Sequence, residues 1–201
     1  MLYGAQPARR RDAERNRTAI LRAACEVMTS QQPAVGMPEI ARRAGIGQAT
    51  LYRHFPDRAA LASAVIAYQI DRLERCVAAG REQPSTFRTA LGEVLRLQIT
   101  MRPLVRLARR LDPTTRNRFL RRVIAALAEP LRSAQAGGYV RPDLVPDDLV
   151  LIFGMVEGVA EGAHQHAEAL AAAGRSIDLA LDGVFRDRSD PSKAGLPIGK
   201  L

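Results

Sequence analysis

Apolar positions in this chain recur at spacings of three and four, and no stretch alternates apolar with polar residues over a strand's length. The pattern predicts an all-α protein of about nine helices. The first runs from Asp12 to about Ser30, with Ile20, Leu21, Ala24, Val27 and Met28 on one stripe; Gln31 to Val35, holding Pro33, is a loop. Two short helices follow, about 37–44 and 48–54. A long one spans about 57–79, apolar on two faces: Leu61, Val65 and Tyr68, then Ile66, Ile70 and Leu73. Further helices are expected from Ser85 to about Thr100, from Pro103 to Leu111, and from Asp112-Pro113, a cap followed by a first-turn proline, to Gly137-Gly138. Pro130 is an expected kink in that last one. Another helix opens at Pro146-Asp147-Asp148 and is broken at Gly174–Ser176, after which Ile177, Leu181, Val184 and Phe185 mark the last.

The pair of short helices is the most specific element. Gly36 can cap the first, Pro38 sits where a missing N–H costs nothing, and Glu39 lies near the positive end of the helix dipole. Ile40, Ala41 and Ala44 share a face, while Arg42 and Arg43 point elsewhere. Gly45 stops the helix by taking positive φ, and Ile46 plugs the corner. In the second helix Leu51 and Phe55, four apart, give one buried side. Gln48, Ala49, Thr50, Tyr52, Arg53 and His54 remain for the outside: amide, hydroxyl, phenol, guanidinium and imidazole, with no acid. Small Ala49 and Thr50 let a helix approach base edges in a major groove. A helical hairpin with a solvated face would carry such residues too.

The run EIARRAGIGQATLYRHFPDRAAL resembles the DNA-binding domain of the tetracycline-repressor (TetR) family: Ile40-Ala41, Ala44-Gly45, Thr50-Leu51-Tyr52, His54-Phe55 and Leu61 stand at the family's spacing. The resemblance covers roughly residues 12 to 75 closely, and beyond them only length and helical character. It departs at Gly36, where the family often has a phosphate-touching Thr, and at Gly47, where it often has Ser. Arg58 stands where a Lys usually meets a phosphate. The resemblance implies a homodimer on double-stranded DNA, with Gln48, Ala49 and Thr50 facing bases and Tyr52, His54 and Arg58 facing phosphates. Arg17 and Thr18 of the first helix are candidates for backbone contacts.

The expected domains are a flexible basic arm (1–11), a helix-turn-helix domain (12–56), a helical ligand-binding and dimerisation domain (57–187) and a disordered tail (188–201). The net charge is +9; residues 1–75 hold 12 Arg against 7 acids, so the excess is denser in the N-terminal third, where the hairpin lies, which favours a polyanionic partner. Arg9, Arg10 and Arg11 either enter a minor groove or form a solvated tail. No apolar run is long enough to span a bilayer and no signal-peptide pattern opens the sequence, so a cytoplasmic protein without membrane partners is expected. Cys25 reads as core and Cys76 as a lone thiol, with a disulfide disfavoured in that compartment.

Gly154, Gly158 and Gly162 fall on one helix face, followed by Ala163, Ala167 and Ala171. With Leu181, Val184 and Phe185 of the last helix they form a candidate dimer interface, tight packing within one chain being the alternative. The resemblance implies an apolar effector cavity, for which the candidates are Tyr68, Leu97, Met101, Arg102, Leu104, Phe119, Val123, Phe153 and His164; most must also serve as core. The Glu161–His164 spacing occurs in di-iron helices but lacks a second copy here, so no metal or cofactor is expected. No catalytic constellation stands out, and the protein is expected not to be an enzyme. The expected function is a ligand-responsive repressor. The competing readings are a helical binding protein or enzyme that keeps the head as scaffold, and a nucleoid-type protein without sequence preference.

Overall fold

The computed structural model describes residues 5–29, 36–81, 83, 85–162 and 168–185. Among them are nine α-helices and one isolated antiparallel bridge, Val140 to Phe185. The helices are α1 (Ala5–Thr29), α2 (Met37–Arg43), α3 (Gln48–His54), α4 (Arg58–Ala79), α5 (Thr86–Thr100), α6 (Arg102–Arg109), α7 (Pro113–Ala136), α8 (Asp148–Gly162) and α9 (Glu168–Val184). No helix among the described residues is long and apolar enough to cross a membrane.

The starts of α1 and α9 differ from the sequence pattern. Helix α1 begins at Ala5, not Asp12, so residues 5–11 are helical where a flexible arm was expected. Pro7 forfeits no bond there, since the first N–H groups of a helix have no intrahelical acceptor, and Ala and Arg favour helix. Helix α9 begins at Glu168 and runs through Gly174–Ser176, the expected break. One interior glycine costs about 1 kcal/mol. Against that stand the alanines before it and a buried stripe of Ala173, Ile177, Leu181 and Val184. Helix α7 continues through Pro130.

The described residues form two compact units. One contains those up to Arg75 together with Leu97–Val123; the other contains Cys76–Arg96 and those from Ile124 on. This division gives most of α4, all of α6 and half of α7 to the unit of the helix-turn-helix, whereas the sequence pattern put a boundary at residue 56.

In the first unit α1 packs on α2 and on α6, and α2 packs on α3. Ile20, Ala24, Val27, Ile40, Leu51, Phe55, Leu61, Val65 and Met101 are buried in one core. Arg122 of α7 forks onto Glu74 through Nε (3.1 Å) and Nη2 (2.7 Å), and Nη2 also reaches Asp71 (2.8 Å), both on α4. Asp112 caps α7 by accepting from the Thr115 amide at 2.9 Å, and this bond lowers its pKa.

In the second unit α8 packs on α9. The rings of Phe87 and Phe185 lie 5.7 Å apart, and the Arg88 guanidinium sits over Phe185 at 4.8 Å. Helix α7 ends with Gly138 at φ +72, where the Tyr139 amide reaches back to the Ala134 carbonyl (2.9 Å). Gln135 then pins the following loop, donating to the carbonyls of Arg141 (3.0 Å) and Leu144 (2.8 Å).

The cysteines differ in environment. Cys25 is half-buried, accepts an amide hydrogen from Gln69 at 3.4 Å, and has its thiol pKa pushed up, chiefly by burial; Cys76 is exposed. Only the thiolate alkylates. Iodoacetamide at pH 8 is therefore expected to modify Cys76 first, with Cys25 slower by on the order of tenfold or more, as protection of a half-buried thiol implies. Peptide mass mapping over time checks this; equal rates would contradict it.

Candidate nucleic-acid interface

The α2–α3 hairpin is fixed by backbone chemistry at its corner. Helix α2 ends with the Ile46 amide on the Ala41 carbonyl (3.1 Å) and the Gly45 amide on the Arg42 carbonyl (3.2 Å), a Schellman closure in which Gly45 takes φ +67. A side chain at residue 45 would meet nothing within 4 Å, so the demand for glycine is conformational rather than steric. The chain restarts at Gly47, the N-cap of α3.

Helix α3 has seven residues, and Leu51 is its one buried side chain. Phe55, the C-cap, is buried behind it. Gln48, Ala49, Tyr52 and Arg53 are exposed, Thr50 and His54 partly so, and Tyr52 has 45% of its surface open. The outward side chains named from the sequence are thus on the surface. Arg53 folds back along its own helix, donating from Nε to the Ala49 carbonyl (3.2 Å) and from Nη2 to the Thr50 hydroxyl (3.1 Å). Thr50 Oγ1, occupied as an acceptor, keeps its proton to donate outward.

Neighbouring elements add cations in fixed places. The Arg17 guanidinium of α1 lies 4.9 Å from the Phe55 ring centre, a cation–π contact that ties α1 to the end of α3. Thr18 beside it is exposed. Asp57 caps α4 by accepting from the Ala60 amide (2.7 Å), and Arg58 is exposed at the helix's first position.

Arg42 and Arg43, which point away from the Ile40–Ala41–Ala44 face, are both engaged by Glu39. Arg42 forks onto Glu39 (2.6 and 2.7 Å) and Arg43 donates to Glu39 Oε1 (2.8 Å). The i,i+3 and i,i+4 spacing carries that signal. These bonds hold the Glu39 carboxyl at about 2, against an ordinary 4.5. A depressed carboxylate pKa stabilises the fold above the unfolded value, and the contribution disappears as pH falls through the folded one. The urea midpoint of Glu39→Gln is therefore expected below wild type at pH 7, with the gap closing as pH falls from 4.5 to about 2. A gap independent of pH would contradict this.

The other candidate sites divide. On α8, Leu149, Ile152, Phe153, Val156 and Ala160 are buried, while the opposite face exposes Leu151 (65%) and Met155 (60%) with Val159. Gly154, Gly158 and Gly162 lie along that outer face, and a Cβ on any of them would meet nothing within 4 Å. On α9 the expectation is corrected: Leu181 and Val184 are 5% exposed and Phe185 packs on Phe87, so these side chains serve the unit's own core. Leu179 of α9 is exposed.

Of the expected effector contacts, Met101 and Leu104 belong to the core of the first unit, with Tyr68 and Leu97 packed against it. Phe119 is buried, and Val123 and Arg102 partly so, in the same unit. Phe153 belongs to the second unit, and His164 lies outside the described residues. Seven of the nine residues thus lie in the first unit, most of them as core side chains.

The model of the family described as "Bacterial regulatory proteins, tetR family" matches residues 20–65. An uncharacterized HTH-type transcriptional regulator of Mycobacterium tuberculosis (strain ATCC 25618 / H37Rv) is 47% identical over 57 residues, a stretch spanning 28% of each chain. Two solved structures match along nearly their whole length. One, a TetR transcription regulatory protein from Mycobacterium vanbaalenii, has a TM-score of 0.63 and 29% identity, covering 88% of this chain and 99% of that one. The other, a TetR transcriptional regulator from Streptomyces coelicolor, has a TM-score of 0.65 and 26% identity, covering 84% and 98%. Residues 20–65 thus match the TetR family of bacterial regulatory proteins in sequence, and most of the chain's length matches solved TetR regulators in fold.

Proposed function

We propose that this protein is a cytoplasmic DNA-binding transcriptional regulator, a homodimer that represses by occupying a pseudo-palindromic operator and leaves it when a small molecule binds. The observation that carries the reading is the outer face of α3. It is acid-free, rich in groups that donate to bases and phosphates, and mounted on a helix whose one buried anchor is Leu51. Gln48, Ala49 and Thr50 would read base edges; Tyr52, His54, Arg58 and Arg17 would meet phosphates, with Arg53 orienting Thr50. One seven-residue helix reads few base pairs, and a second copy supplies the other half-site.

The outer face of α8 supports a dimer. Leu151, Met155 and Val159 form an exposed apolar strip, and the glycines between them allow close approach of a second helix. An effector acts by binding the DNA-free arrangement better than the DNA-bound one, which changes the separation of the two α3 helices.

The test is duplex binding of the full chain as salt rises. A working head loses affinity linearly on a log–log plot, with a slope set by the phosphates it neutralises. Absence of both binding and slope would leave the head as scaffold.

A further inference from the structure

We propose that the first unit binds a carboxylate, and that Arg102 is the residue that holds it. This deepens the effector reading above by naming the chemical class of the effector, and it rests on that reading for its role in regulation.

Arg102 is the first residue of α6. It follows Met101, which is buried, and precedes Leu104, also buried, on a helix that packs against α1. Its Nε and Nη2 atoms are both buried and have no hydrogen-bond partner among the described residues. An arginine cannot relieve that burial by losing its proton. A buried cation without hydrogen bonds or a counter-charge is unfavourable, and an anion is the group that answers both needs.

Which atoms are left over narrows the anion to one with two oxygens side by side. The N–H bonds of Nε and Nη2 run parallel along one edge of the guanidinium, the edge that matches the two oxygens of a carboxylate. This chain uses that edge in the same way elsewhere. Arg42 presents Nε and Nη2 to Glu39, Arg122 presents them to Glu74, and Arg141 presents them to Asp143. At Arg102 the same edge faces inward, and the acids Asp71 and Glu74 of α4 are engaged by Arg122.

The surroundings describe the rest of the ligand. Gln69 directs its amide N–H groups at sulfur, to Met101 Sδ (3.5 Å) and Cys25 Sγ (3.4 Å), both weak acceptors. Its carbonyl is taken by Arg72 at 3.0 Å. At Met101, the residue before Arg102, the chain therefore holds a second donor that a stronger acceptor would draw away. Met101 and Leu104, which flank Arg102 in sequence, belong to the unit's apolar core, and Tyr68, Leu97 and Leu107 pack against that core. The ligand is an organic acid: a carboxylate head on an apolar body.

Thermal unfolding of the full chain tests this, with straight-chain carboxylates from butanoate to decanoate and with benzoate as probes. The matching primary amides are the neutral controls. The expected result is a rise in Tm of a few degrees with at least one carboxylate and none with its amide. Arg102→Met should abolish the rise, and without ligand it should melt at or above wild type, because an unpaired buried charge has gone. Arg102→Gln repeats the measurement with polarity retained. No shift from any probe, an equal shift from acid and amide, or a shift that survives Arg102→Met would overturn the proposal. The same probes added to a protein–duplex complex separate the two readings. Carboxylate binding without release of DNA keeps the site and rejects its role as effector site. Release by the amides alone rejects the carboxylate and keeps the effector reading.

Discussion

Leu51→Ala is expected to lower stability by about 2–5 kcal/mol and to eliminate duplex binding. Leu51 is fully buried and is the sole side chain by which the seven residues of α3 enter the core. A helix this short has no stability of its own in water. Removing its anchor leaves a cavity beneath it and frees the face that carries Gln48, Thr50 and Tyr52. Tyr52→Ala is the matched control. Tyr52 is exposed, so its loss should leave the urea midpoint within about 0.5 kcal/mol of wild type while weakening binding to all duplexes alike. Urea unfolding and duplex titration of the two variants separate an anchor from a contact. Full duplex binding by Leu51→Ala, or by Tyr52→Ala, would contradict the assignment of α3.

The second large effect concerns the face of α8. Met155→Glu combined with Gly158→Glu should give a folded monomer. Both positions are exposed within the single chain, and a Cβ on residue 158 meets nothing within 4 Å, so the substitutions cost the subunit little. Replacing a helical glycine even favours the helix, by up to about 1 kcal/mol. Across a two-fold interface, however, each new charge appears twice and is buried against apolar surface. Sedimentation should report half the wild-type mass with helicity unchanged. Affinity for a duplex with two half-sites should fall by roughly 10²–10⁴-fold, the gain that tethering two readers confers. A variant that remains dimeric would move the interface elsewhere.

What could be read directly from the sequence were features with one local cause. Gly45 demands positive φ, Asp112-Pro113 opens a helix, and Leu51 with Phe55, four apart, gives its segment one buried side; each stands in the structure as the pattern had it. Features decided by competition were less legible. Helix α9 runs through Gly174–Ser176, the expected break, because the stripe from Ala173 to Val184 outweighs the glycine at 174. Leu181 and Val184 have the pattern of an interface as much as of a core, and only packing distinguishes the two. Glu39 looked like a dipole partner, whereas its dominant role is to gather Arg42 and Arg43, a choice among rotamers that spacing permits but does not select. Arg102 shows the same limit: the sequence offers a polar residue among apolar ones, and the structure adds which edge of it is buried.

The most direct test of the central claim is selection of bound duplexes from a random pool by the full-length protein at near-physiological salt. A dimer that reads DNA through two α3 helices predicts an enriched inverted repeat. Its half-site centres should lie about 34–36 Å apart or a multiple of that, one turn of the double helix. A pool that emerges unenriched from a folded dimer, in the presence and absence of the carboxylate probes, would contradict sequence-specific regulation.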